Sequence, residues 1–139
     1  MTALVLYHDT YACTGSAGAT APDLVLLHGW GMHSVVWDPI VPALLEHYQV
    51  SVIDLPGMGR SPLPGGDYDL EYVMQHVLAV APARAVWMGW SLGGEIATAI
   101  AARHPERVSA LLLVASNPSF AQREAWPCAM ASQQLQQFR

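Results

Sequence analysis

The residues predict an α/β fold, a parallel sheet flanked by helices, and two observations carry that expectation. Short continuous apolar runs at residues 24–27, 50–53, 85–88 and 108–114 have the composition of strands buried on both faces. Longer helix-forming stretches separate them, and strands alternating with helices imply right-handed βαβ units around a parallel sheet.

Taken in order, residues 4–7 read as a short first strand, followed by a small-residue turn over 14–22. The run 24–27 is the second strand and ends in His28-Gly29-Trp30-Gly31, where glycine permits a tight loop. Residues 37–45 read as a helix with Pro39 near its start, and Pro42 works against its regularity. The strand 50–53 closes on Asp54-Leu-Pro-Gly-Met-Gly-Arg-Ser61, and a turn-rich loop over 62–69 leads to a helix at 70–80. Strand 85–88 precedes Gly89-Trp90-Ser91-Leu92-Gly93, and the Ala- and Ile-rich stretch 95–103 is a helix halted by Pro105. The last apolar strand is 108–114. Beyond Ser116-Asn117-Pro118 the chain becomes a polar, helix-prone tail.

Composition bounds the function. The 139 residues are 53% hydrophobic and 12% charged, enough apolar material for one cored domain and the opposite of a disordered profile. The net charge is −5, and all six basic residues are scattered arginines. Nucleic-acid binding needs a basic stripe, and there is none. Cys13 and Cys128 fit no metal or redox spacing and read as reduced thiols, which points to the cytoplasm. The N-terminus lacks the basic start of a signal peptide, and no apolar run approaches the ~20 residues of a membrane span.

The strongest chemical signal is Gly89-Trp90-Ser91-Leu92-Gly93 between a strand and a helix. A serine on a strained strand-to-helix turn projects its hydroxyl above the sheet, and only small neighbours let backbone pass that closely. The helix that follows points its first amides toward the place where negative charge develops in acyl transfer. Ser91 is therefore the candidate nucleophile, against the plainer reading of a Gly-Ser turn. Acyl transfer also needs two backbone donors for the oxyanion. Leu92, the residue after the nucleophile, is one candidate, and Trp30 in the 28–31 loop is the other.

His28 reads as a backbone-fixing residue rather than a base. Asp54 reads as the organiser of the turn at 56–59 rather than as a triad acid. Trp37, Trp87 and Trp126 read as packing. After Ser91 the only histidine is His104, thirteen residues on. At ~1.5 Å per helical residue it stands about 20 Å from the serine. A serine triad in this chain order needs an acid and a histidine downstream, so the 139 residues are expected to lack both.

LVLLHGWGMHSVVW, VIDLPGMGRS, WMGWSLGGEIA, HPERVSALLLVAS and the Glu124-Ala-Trp-Pro127 segment resemble the N-terminal half of the pimeloyl-[acyl-carrier-protein] methyl ester esterase family of biotin synthesis, within the α/β-hydrolases. The LHGxG, DxPGxGxS and GxSxGG patterns belong to the superfamily; Trp30, Trp90 and the VASNPSF stretch narrow the likeness. The resemblance implies an α/β-hydrolase core over residues 1–121 and the start of a cap over 122–139, truncated before the rest of the cap and the last strands. It implies a cytoplasmic, monomeric parent that hydrolyses the methyl ester of a pimeloyl chain on acyl carrier protein, with no cofactor and no metal. Ser91 matches the nucleophile, Trp30 and Leu92 the oxyanion and substrate contacts, and Phe138 an acyl-contacting phenylalanine. Two alternatives stand beside this reading. One is another cap-bearing hydrolase, a C–C bond hydrolase or an iminopeptidase; the other is a non-catalytic fragment that binds acyl chains or carrier protein.

Overall fold

A computed structural model describes residues 4–63 and 65–138, with the side chain of Phe138 outside the described part. Five strands form one sheet: β1 (His8–Tyr11), β2 (Asp23–Leu27), β3 (Gln49–Ile53), β4 (Ala85–Trp90) and β5 (Val108–Val114), in the spatial order β1-β3-β2-β4-β5. Strands β2 to β5 are mutually parallel, as their apolar runs predict. The sheet is nonetheless mixed, because β1 runs antiparallel on β3.

That first strand is a correction to the sequence reading. The ladder begins at His8, after the apolar run rather than within it. Leu6 is drawn into the core at 1% exposure, and the half-exposed edge is built from polar residues whose side chains reach across, as Thr10 Oγ1 does to Ser51 Oγ at 3.1 Å. An edge strand needs pairing groups and one covered face, so hydrophobicity alone misplaces it.

The expected helix at 37–45 is also broken. A 3₁₀ turn spans Ser34–Trp37, and only the single turn α1 (Val41–Leu44) is α-helical. Pro39 and Pro42 have no N–H to continue a ladder, and Pro42 is accepted only because it sits in the first turn of α1. By contrast α2 (Leu70–Val80) has the expected bounds. Asp69 caps it, accepting the Tyr72 amide at 2.8 Å. The helix α3 (Leu92–Arg103) starts directly after Ser91, and a short α4 (Ser132–Leu135) lies in the tail.

Two apolar cores flank the sheet. One gathers Val25, Leu27, Ile53, Met74, Val77, Trp87, Ile96 and Ile100 beneath α2 and α3. The other sets Leu24, Leu26, Val50 and Val52 against Trp37 and Val41. Adjacent residues of one strand thus feed opposite cores, which is what a continuous apolar run means in a parallel sheet. Trp87, read as packing, is fully buried and donates its Nε1–H to Arg107 O at 3.0 Å.

Candidate active site

The site grows from the junction of β4 and α3. Ser91 has φ 53° and ψ −115°, a conformation costly for any residue with a Cβ. Its surroundings hold it there. Its N–H donates to Val114 O at 3.0 Å, and its carbonyl accepts Gly94 N–H at 3.0 Å and the Ser116 hydroxyl at 2.7 Å. Ala115, beside that hydroxyl, also has a positive φ of 46°, so the brace from the end of β5 is strained as well.

The glycines explain themselves by contact. A Cβ on Gly93 would fall 2.5 Å from the carbonyl carbon of Leu27 and 2.7 Å from His28 O. One on Gly89 would meet the backbone of Gly93, and one on Gly94 the side chain of Ser116. Helix α3 can start this close to β2 only without side chains there.

The opposing wall is the loop after β2. His28 is completely buried; its Nδ1–H donates to Gly29 O at 2.8 Å, and its Nε2 accepts the Leu55 amide at 2.9 Å. Burial holds its pKa below the ordinary imidazole value, so the ring stays neutral and clamps two loops. Asp54 is equally buried, and its two oxygens accept Ser34 N–H at 2.6 Å and Arg60 N–H at 2.9 Å. Burial alone would raise its pKa; the Arg60 and Ser34 amides outweigh that and hold the carboxyl below its ordinary range. Gly59, at φ +55°, lets the turn wrap the carboxylate, where a Cβ would strike it. Both residues do what the sequence suggested, and Asp54 additionally ties down the 3₁₀ turn at Ser34.

These walls enclose a cavity of about 450 Å³ lined by Gly29, Trp30, Met32, Trp90, Ser91, Leu92, Phe120, Met130 and Leu135. Three of the residues singled out in the sequence, Trp30, Ser91 and Leu92, meet here. The amides of Trp30 and Leu92 have no acceptor among the described residues. Trp30 itself is 58% exposed, at the rim rather than in the core. The contact expected of Phe138 falls on a side chain outside the described residues. Phe120, Met130 and Leu135 supply that wall, and sequence reasoning missed them. Phe120 and Met130 are joined by backbone pairing within the tail, with Met130 N–H on Phe120 O at 3.0 Å and Gln122 N–H on Met130 O at 2.8 Å.

The cavity lining contains no histidine, aspartate or glutamate. His104 caps the far end of α3, as its spacing requires, and its Nδ1 lies 3.6 Å from Glu106. Glu95, in the first turn of α3, is half-buried, and desolvation raises its pKa against the pull of the Phe120 amide and Arg123. Among the described residues no three His, Cys, Asp or Glu side chains converge in a way that would hold a metal. The arrangement provides a strained serine, two free amides and an apolar chamber.

The family model described as "alpha/beta hydrolase fold" matches residues 22–137. The chain belongs to the α/β-hydrolase fold family. Within it, the chain is 54% identical over 114 residues to a pimeloyl-[acyl-carrier protein] methyl ester esterase of Edwardsiella ictaluri, covering 81% of this chain and 43% of that one. It is 51% identical over 107 residues to the enzyme of the same name from Aeromonas hydrophila, covering 76% and 42%. The chain thus spans less than half the length of these relatives. Among solved structures of this α/β-hydrolase type, an esterase from Exiguobacterium antarcticum superposes with a TM-score of 0.78 at 25% identity. It covers 95% of this chain and 49% of the esterase.

Proposed function

We propose that Ser91 is the nucleophile of a serine carboxylesterase whose acid and histidine lie outside these 139 residues. The observation that carries the reading is the strained Ser91 backbone at the head of α3, opening on an apolar chamber beside two amides without acceptors. In the reaction, Ser91 Oγ attacks the ester carbonyl while the histidine takes its proton. The Trp30 and Leu92 amides hold the oxyanion, assisted by the positive end of α3. Collapse expels the alcohol, which takes the proton from the histidine. Water activated by the same histidine then releases the acid.

The likeness to two enzymes named for pimeloyl-[acyl-carrier protein] methyl ester supports a substrate of that kind, with methanol as the leaving group and acyl carrier protein as the partner. The apolar lining suits a methylene chain. On this reading residues 1–121 are core and 122–139 open the cap, so Met130 and Leu135 are the cap's first contribution to the acyl wall and Phe120 is the core's. The setting is the cytoplasm and the parent a monomer. Among the described residues no helix is long and apolar enough to cross a membrane.

The test is hydrolysis of pimeloyl-acyl carrier protein methyl ester by the full-length enzyme carrying these residues. Ser91→Ala should abolish turnover while leaving carrier-protein binding intact. An alanine variant with near wild-type turnover would remove Ser91 from the mechanism.

A further inference from the structure

Three donors converge on the carbonyl of Ser91. Two belong to the start of α3, Gly94 N–H at 3.0 Å and Glu95 N–H at 3.2 Å; the third and shortest is the Ser116 hydroxyl at 2.7 Å. The hydroxyl reaches the carbonyl through a gap left by Gly94, where a Cβ would strike both Cβ and Oγ of Ser116. The same planar peptide carries the N–H of Leu92 and points it away from the carbonyl. That amide has no acceptor among the described residues, and Leu92 lines the chamber beside Ser91. Whatever grips the carbonyl therefore aims the amide.

Residues 114–116 hold Ser91 at two points. Val114 O accepts its N–H at 3.0 Å, and Ser116 Oγ donates to its carbonyl. A backbone acceptor and a side-chain donor two residues apart face one residue only if the chain turns sharply between them, and Ala115 sits there at φ 46°. A residue with a Cβ is costly at positive φ and persists there only where its surroundings enforce it. Among the described residues Ser91 and Ala115 are the two that do so without being glycine. They are the two halves of one clamp, and a serine that merely ended a strand would need no such strain.

We propose that Ser116 is a positioning residue for the oxyanion site, its hydroxyl fixing and polarising the Ser91–Leu92 peptide so that the Leu92 amide is a better-aimed and stronger donor. Ser116 does not line the chamber, so it acts through that peptide and not on the substrate. The bond to the carbonyl fixes the tilt of the peptide plane, and an oxyanion donor is most effective when it is aimed before charge develops. The bond also draws charge through the amide, and chains of hydrogen bonds strengthen one another by roughly 10–30% per bond. The use of the Leu92 amide for an oxyanion rests on the esterase reading above; the grip on its peptide does not.

The experiment uses the full-length enzyme carrying these residues, with Ser116→Ala and with Ser116→Cys, whose thiol fills the space but donates weakly. Three things are measured: methyl ester hydrolysis, the Leu92 amide proton resonance, and inhibition by a trifluoromethyl ketone of the same acyl chain, to which a serine adds to form an oxyanion. Losing a whole oxyanion donor costs roughly 10²–10³ in kcat, so weakening one should lower kcat and inhibitor affinity about tenfold in Ser116→Ala, with KM within about twofold of wild type. Ser116→Cys should fall between, and it decides the matter should the alanine variant not fold. The Leu92 amide proton should move upfield in both. Wild-type kcat in these variants, or a rise in KM that accounts for the lost activity, would overturn the proposal. An unmoved Leu92 resonance would overturn it without reference to turnover. A moved resonance in an enzyme whose Ser91→Ala variant keeps its turnover would uphold the grip on the peptide and refute the esterase reading.

Discussion

Replacing Asp54 with Asn separates a structural carboxylate from a catalytic one. Both Asp54 oxygens accept backbone amides, from Ser34 at 2.6 Å and Arg60 at 2.9 Å, in full burial. An amide has one oxygen, so its NH₂ must face one of those N–H groups. The substitution loses two charge-assisted bonds, each worth roughly 1.5–3 kcal/mol, keeps one neutral bond and strands one donor, for a net cost of about 3 kcal/mol. For a chain of this length that lowers Tm by about 10 °C. The pH dependence follows from the sign of the shift. Asp54 is held below its ordinary pKa, so its contribution is complete above the unfolded value of about 4 and is lost as pH falls through the lower folded value. The asparagine variant lacks that acid limb. Urea unfolding followed by circular dichroism between pH 3 and 7 measures both effects. An Asn variant within about 0.5 kcal/mol of wild type at pH 7, a change typical of a surface site, would refute the reasoning.

Three further outcomes are expected. Ser91→Gly should raise stability by about 1 kcal/mol, because glycine relieves part of the strain at φ 53°; denaturant midpoints decide it. Gly93→Ala should cost about 3 kcal/mol, since its Cβ would drive against the backbone of Leu27 and His28; an unaltered Tm would show that α3 can shift away. His28, held neutral by burial with a lowered pKa, contributes stability that is full above the unfolded value of about 6.5 and declines as pH falls toward the folded one. His28→Gln should flatten that decline, and equal slopes for the two proteins would mean that His28 is not its source.

The core strands, α2, and the meeting of Trp30, Ser91 and Leu92 were legible in the residues because each is a local pattern. A four-residue apolar run bounded by glycine and a serine flanked by glycines report their own structure. The roles of His28 and Asp54 were legible for the same reason, as both act on neighbouring turns. The first strand was misplaced by its hydrophobicity: Leu6 is apolar because it fills the core, and the pairing falls on the polar residues after it. The helix expected at 37–45 failed at its prolines, where the missing amides left one turn of 3₁₀ and one of α.

What the sequence determined by itself was the α/β class, the elbow and the placing of His104 at the far end of α3 from Ser91, each a matter of spacing along the chain. The tertiary structure alone decided which tail residues wall the chamber. Phe120 and Met130 meet by backbone pairing across ten residues of no regular period, and no helix or strand pattern announces such a contact. It also decided that β5 is an edge. Composition states that a strand is apolar, but whether anything covers it depends on what packs beside it in three dimensions, and along Leu112, Leu113 and Val114 the described residues leave it open.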